Sequence, residues 1–191
     1  MTEYPEVNQK AQLRAKVREA RSEREPNLDE ASRLSQQLGQ FCIDNKVSVV
    51  AAYFPIQGEP DIREFLDWAI SQGVQVLLPS VAGNNLHWVK FDGTTAFGEL
   101  GFKEATGKAA KLSDAEVIFL PAMAVDLAGN RLGKGKGYYD RALAQFAGQK
   151  RRPKLVAVVF DEEVLISVPR EAHDFAVDAA ITASKLIWFK G

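Results

Sequence analysis

Four apolar runs set the limits on what this chain can fold into. They cover residues 47–54 (VSVVAAYF), 74–79 (VQVLLP), 117–120 (VIFL) and 154–160 (KLVAVVF). Each is short and nearly continuous, the pattern of a strand covered on both faces rather than one with a wet side. Helical patterns stand between them. Strands alternating with helices predict an α/β protein: a three-layer sandwich with a mostly parallel central sheet and helices on both faces, Rossmann-like in outline. At 191 residues the chain fits one domain, residues 1–191, with a substantial core.

The connecting segments carry their own signals. Residues 6–24 read as a helix, with Leu13 and Val17 four apart. Lys10, Arg14, Arg18 and Arg21 fall within about 80° of arc on it. Such a stripe is either a solvated face or a basic rail beside an anionic ligand. Pro26 breaks this helix, and Asn27 or Asp29 starts a second one running to about Asp44, with Leu34, Leu38 and Phe41 as its buried stripe. The run at 47–54 ends in Pro55, Gly58, Glu59 and Pro60, a loop at a strand's C-terminal end, where open α/β sheets collect ligands. Glu59 there is either a cleft residue or an ordinary surface glutamate. A helix over 61–71 closed by Gly73, a turn at 80–85, and strands at 86–91, 178–182 and 186–189 complete the pattern. The glycine-rich stretch 92–113 has no clear period. His87 reads as an edge residue and Asp126, before Gly129-Asn130, as a turn former.

The densest chemical signal is residues 120–141, LPAMAVDLAGNRLGKGKGYYDR. Gly133, Gly135 and Gly137 alternate with Lys134 and Lys136, and Tyr138, Tyr139 and Asp140 follow, with a helical pattern over 141–146. Glycines let backbone amides converge on one point, and a following helix adds partial positive charge. The two lysines bring mobile charges to the same rim. Asp140 is placed where a phosphate-bound Mg²⁺ could reach it. This is neither the P-loop nor the dinucleotide fingerprint. Three residues, not four, separate Gly129 from Gly133; Gly135 stands where Ser or Thr is needed; and the spacing is GxGxG. Against a merely flexible basic turn, the flanking strand, aromatics and acid favour an anion site. Asp174, after His173, is either half of a loop pair or a second carboxylate for the metal.

Several classes drop out. A net charge of −1 gives no global field toward nucleic acid or membrane. No apolar run approaches the ~18 residues of a membrane span, and the N-terminus is polar. The one cysteine, Cys42, sits in an apolar helical context, which rules out an internal disulfide framework and fits a reducing compartment, so a cytoplasmic protein is expected. No Ser/His/Asp order, HExxH, CxxC or zinc spacing supports a protein nucleophile or a zinc site.

Residues 121–141, with PAMAVD followed by GNRLGKGKGYYDR, resemble the 5-formyltetrahydrofolate cyclo-ligase (methenyltetrahydrofolate synthetase) family. KAQLR at 10–14 is similar to that family's opening helix motif, YFPIQGE at 53–59 to its substrate loop, and residues 169–182, with His173-Asp174 and Asp178, to its C-terminal signature. The family often has Glu-Pro after its middle strand, where this chain has Glu104-Ala105. The resemblance implies an ATP- and Mg²⁺-dependent enzyme that converts 5-formyltetrahydrofolate, free or polyglutamylated, to 5,10-methenyltetrahydrofolate, releasing ADP and phosphate. Carried over by position, it implies ATP contacts from Lys10, Arg14 and the loop Arg131, Leu132, Gly133, Lys134, Gly135, Lys136, Gly137, Tyr138 and Tyr139. It implies folate contacts from Phe54 and Glu59, with residues 134–138 shared between the ligands, a catalytic set of Lys134, Lys136 and Tyr138, and Mg²⁺ on Asp140 and Asp174. A monomer without nucleic-acid or membrane partners is expected. Two other readings stay open: a non-catalytic folate-, nucleotide- or RNA-binding relative, and an ATP-dependent phosphotransferase or ligase acting on another small acid.

Overall fold

The computed structural model describes residues 5–98, 101–171 and 174–189. In chain order the elements are α1 (Pro5–Ser22), α2 (Leu28–Asp44), β1 (Val49–Ala51), α3 (Arg63–Ser71), β2 (Gln75–Ala82), β3 (Asn85–Phe91), β4 (Thr95–Phe97), β5 (Lys103–Ala105), β6 (Ala109–Ala110), β7 (Val117–Pro121), β8 (Ala124–Asp126), β9 (Arg131–Leu132), α4 (Tyr138–Leu143), β10 (Lys154–Val158), β11 (Val164–Leu165), β12 (Ala179–Ile181) and β13 (Leu186–Trp188). Eight strands make the central sheet in the order β13-β12-β10-β7-β1-β2-β3-β6. The five from β12 to β2 are parallel; β13 pairs antiparallel with β12 at one edge, and at the other β3 pairs antiparallel with β2 and β6 antiparallel with β3.

The apolar runs supply the middle of this sheet, and their alternate side chains feed two cores. Val50, Val76, Leu78, Val117, Phe119, Val156 and Val158 face α2 and α3. Ala51, Leu77, Ile118, Leu120, Leu155 and Ala157 face the opposite way, against Leu143 of α4 and Phe146. Both faces are thus dry, which explains why these runs show no polar alternation. Helix α2 begins where Asn27 Oδ1 accepts the Glu30 amide at 3.1 Å, one of the two expected start points. Its Leu34, Leu38 and Phe41 are buried as expected. A Cβ on Gly39 would lie 3.4 Å from the Trp68 ring, so a small residue there lets α2 and α3 close up. Cys42 is buried, and burial followed by the nearby Glu116 charge pushes its thiol up to about 12, so it is an inert core residue.

The strands depart from the sequence expectations at several places. Strand β1 is only Val49–Ala51, because the chain turns off the sheet toward Pro55; Tyr53 stays buried by donating its hydroxyl to Pro60 O at 2.8 Å. Strand β2 runs on to Ala82, since it pairs with β3 up to Ala82↔Asn85 and turns at Gly83 (φ +58°) and Asn84. The unpatterned stretch 92–113 holds the β4-β5 hairpin and the edge strand β6, both too short to show a period. A separate three-stranded sheet, β11-β8-β9, carries the turn at Asp126. That carboxylate is 3 % exposed and accepts from the Ala128, Asn130 and Val168 amides and from Asn130 Nδ2, all at 2.8–2.9 Å. Among the described residues no helix is long and apolar enough to cross a membrane.

Candidate functional site

The sheet changes winding direction between β1 and β7: β2 lies on one side of β1, while β7, β10 and β12 lie on the other. Ligands in open α/β sheets bind outside the carboxyl ends of strands at such a point. A cavity of about 1310 Å³ lies there, walled by α1, the loop after β1, the end of β7, the glycine loop and the β5 region.

The basic stripe of α1 lines the cavity: Lys10 is buried, Arg14 and Arg21 are half-buried, and Arg18 stays exposed at the rim. Arg14 Nε donates to Gly133 O at 2.8 Å, Arg18 Nη2 to Lys134 O at 3.3 Å, and Arg21 Nη2 to Ala122 O at 2.6 Å. Arg21 also forms a bidentate pair with Glu163 at 2.6 and 2.7 Å. Helix α1 contributes little apolar surface beyond Leu13 and Val17, which pack on Met123 and Leu132. Polar contacts therefore hold much of it in place.

These contacts also orient the glycine loop. The carbonyls of Gly133, Lys134 and Lys136 accept from Arg14, Arg18 and Arg141 respectively. A planar trans peptide sets each carbonyl opposite the next amide. The Lys134, Gly135 and Gly137 amides are thus turned away from those arginines, and among the described residues they donate to nothing else in the chain. Gly135 (φ +99°) and Gly137 (φ +66°) hold backbone angles that side chains disfavour. A Cβ on Gly137 would come within 2.9 Å of Arg141 Nη1. The helix after the loop starts at Tyr138, earlier than the 141–146 expected, and after Leu143 tightens into a 3₁₀ turn. So short a helix adds little dipole of its own, so the charge on this side of the cavity comes mainly from the loop amides and the surrounding cations.

Each candidate acid carries a base. Lys134 Nζ lies 2.6 Å from Glu59, Arg131 Nη2 is 2.5 Å from Asp140, and Lys10 Nζ is 2.6 Å from Asp174 and 3.0 Å from Glu171. Lys10 and Arg131 are themselves buried, and the Arg131 Nε finds no partner among the described residues. Arg14, Arg18 and Lys136 have no carboxylate within 4 Å among the described residues, so the loop side of the cavity has surplus positive charge. This is the field a polyphosphate needs.

A model of the 5-formyltetrahydrofolate cyclo-ligase family matches residues 6–183. The chain belongs to the 5-formyltetrahydrofolate cyclo-ligase family. It is 38 % identical over 147 residues to a 5-formyltetrahydrofolate cyclo-ligase of Mycolicibacterium smegmatis, covering 71 % of this chain and 74 % of that one. It is 28 % identical to the Escherichia coli K12 protein of that name, covering 73 % and 79 %. Among solved structures, the Aquifex aeolicus 5,10-methenyltetrahydrofolate synthetase superposes with a TM-score of 0.81 at 28 % identity, covering 95 % of this chain and 93 % of the other. A Mycoplasma pneumoniae 5,10-methenyltetrahydrofolate synthetase, at 19 % identity and TM-score 0.73, shares the fold.

The cavity gathers most of the residues singled out from sequence: Lys10, Arg14, Phe54, Glu59, Arg131, residues 133–140 and Asp174 all line it. Leu132 does not. Its side chain is fully buried beside Met123, Ala124 and Val168, and its carbonyl accepts the Met123 amide at 2.8 Å. In the pairing of β8 with β9, Leu132 faces the core while its neighbours Arg131 and Gly133 face the ligand space. Tyr139 lines the cavity but is half core: its ring meets Trp88 edge-on at 6.4 Å, and burial, then the Glu59 charge, pushes its hydroxyl well above the usual range. It is therefore a neutral wall residue, not a proton carrier at neutral pH. Phe54 lies edge-on to Phe91 at 6.3 Å, and the Tyr138 hydroxyl donates to Gly83 O at 3.3 Å. His173 lies outside the described residues.

Sequence reasoning missed several residues that line the cavity or hold its wall in place. Glu104, read only as a linker position, lines the cavity with an oxygen 3.3 Å from the Val81 amide. Glu171 and Glu163 carry the ion pairs that seat α1, and each stood in a polar stretch with no period to mark it.

Proposed function

We propose that this chain catalyses the ATP- and Mg²⁺-dependent conversion of 5-formyltetrahydrofolate to 5,10-methenyltetrahydrofolate, with release of ADP and phosphate. The observation that carries the reading is the glycine loop clasped by Arg14 and Arg18 on one side and joined through Lys134 to Glu59 on the other, around one cavity. Family membership supplies the substrate class.

The chemistry asks little of side chains beyond position and charge. The N5-formyl oxygen attacks the γ-phosphorus and ADP departs. N10 then attacks the formyl carbon, the carbon–oxygen bond breaks, phosphate leaves, and the N10 proton is lost to solvent. Hydroxide is a poor leaving group and phosphate a good one, which is the reason for the ATP. Phosphoryl transfer is accelerated mainly by alignment and by neutralising the moving charge. Here the turned-out amides of Lys134, Gly135 and Gly137, the lysines 134 and 136, and Arg14 fill that role. Lys10 acts more indirectly, by holding Asp174. Phe54 and Tyr138 offer ring faces for the pterin.

The residues present fit a phosphate-borne Mg²⁺ rather than a protein cage. Asp140 and Asp174 line the same cavity, and among the described residues no group of three metal-ligating side chains exists. Mg²⁺ takes few protein ligands and completes its shell with phosphate and water. When bound, the ion would neutralise charge on the transferred phosphoryl group.

The test is formation of the methenyl chromophore from 5-formyltetrahydrofolate, ATP and Mg²⁺, with each omitted in turn. Absorbance should grow only in the complete mixture. Ligand binding without a chromophore would mark a non-catalytic relative and overturn the proposal.

A further inference from the structure

One ion pair crosses the cavity from the phosphate side to the folate side. Lys134 stands on the glycine loop, and its Nζ is 2.6 Å from Glu59 Oε1 on the loop after β1. The partners are unequal. The Glu59 side chain is 6 % exposed, and its other oxygen accepts the Ile56 amide at 3.0 Å. The Lys134 side chain is 39 % exposed, on backbone flanked by Gly133 and by Gly135 at φ +99°. Glu59 is built into the wall, whereas Lys134 can swing.

Among the described residues Lys134 is the only basic group within 4 Å of the Glu59 carboxylate. A buried carboxylate stripped of its cation is costly unless another donor replaces it. The same ammonium is the first lysine of the GKGKG loop, so phosphates seated there compete with Glu59 for it.

We propose that the Glu59–Lys134 pair couples the two substrates. Nucleotide phosphates draw Lys134 off Glu59 and leave the carboxylate open to the N–H donors of a pterin ring; a bound pterin in turn releases Lys134 to the phosphates. The proposal rests on the cyclo-ligase reading and adds a dependence of each affinity on the other ligand. Without nucleotide, a folate must displace Lys134 at its own expense; with nucleotide, Lys134 has already moved. Linkage requires the same factor in both directions, and such couplings are typically about 5–150-fold.

The experiment is calorimetric titration of the whole chain with 5-formyltetrahydrofolate and with a non-hydrolysable ATP analogue plus Mg²⁺, each alone and with the other saturating. The wild type should bind each ligand at least about fivefold tighter in the presence of the other, by equal factors. Glu59→Gln and, independently, Lys134→Ala should bring that factor close to one. Lys136→Ala, which removes a loop charge with no carboxylate within 4 Å among the described residues, should weaken the nucleotide but keep the factor. A wild-type factor near one, a factor surviving in both pair variants, or its loss in Lys136→Ala would overturn the coupling while leaving the enzyme reading intact. Wild-type protein that binds neither ligand would remove the enzyme reading, and the coupling with it.

Discussion

Replacing Arg21 by Met tests how this fold holds its first helix. The Arg21 side chain is 7 % exposed and its Glu163 partner 5 %, so solvent screens the pair very little. Arg21 donates to both Glu163 oxygens and to Ala122 O, and its guanidinium lies 5.4 Å from the Phe160 ring centroid. Met keeps most of the volume but removes all three hydrogen bonds and leaves Glu163 buried with the Phe160 amide as its donor. Breaking a buried pair from one side costs about 3–5 kcal/mol, most of it the stranded charge. With a urea slope of about 2 kcal/mol per molar, the midpoint should fall by roughly 1.5–2.5 M. Adding Glu163→Leu should restore much of the loss, since no charge is then stranded. The assay is urea unfolding followed by circular dichroism for the wild type, both single variants and the double. A loss under about 1 kcal/mol in Arg21→Met, or a double variant no better than the singles, would refute the claim that buried charge pairing seats α1.

Four further substitutions have outcomes set by their own local geometry. Asp126 should confer stability that is lost in acid. Burial alone would raise its carboxyl, but hydrogen bonds from Asn130, Val168 and Ala128 outweigh this and hold it below the usual range. A depressed folded value means the contribution is present above about pH 4 and fades as pH falls through the folded value, so Asp126→Asn should lower Tm at pH 7 and flatten its fall in acid, as calorimetry across pH would record. Gly137→Ala places a side chain at φ +66° against Arg141 and should cost about 1–2 kcal/mol in thermal unfolding while weakening nucleotide binding. Lys136→Ala should leave the circular-dichroism spectrum unchanged, because Lys136 is exposed, and lower turnover by about 100-fold in the chromophore assay; Asp140→Ala should reduce turnover strongly too.

Local chemistry along the chain determined a good deal by itself. The continuous apolar runs read as strands covered on two faces, and the strands within them form the centre of the sheet. Asn27 and the Leu34, Leu38, Phe41 stripe placed α2, and glycines too regularly spaced for an ordinary turn marked the loop at 133–137. Tertiary structure alone decided what those pieces face. The α1 stripe had the same period whether wet or docked; it docks because Arg14 meets Gly133, 119 residues away, and Arg21 meets Glu163, 142 away. Leu132 and Gly133 are neighbours in sequence, yet strand alternation sends one to the core and the other to the cavity. Glu59 reads as any loop glutamate until the sheet's change of winding brings Lys134 to 2.6 Å. Periodicity reports which residues leave water, but not which distant residues they meet when they do, because that depends on strand order and register.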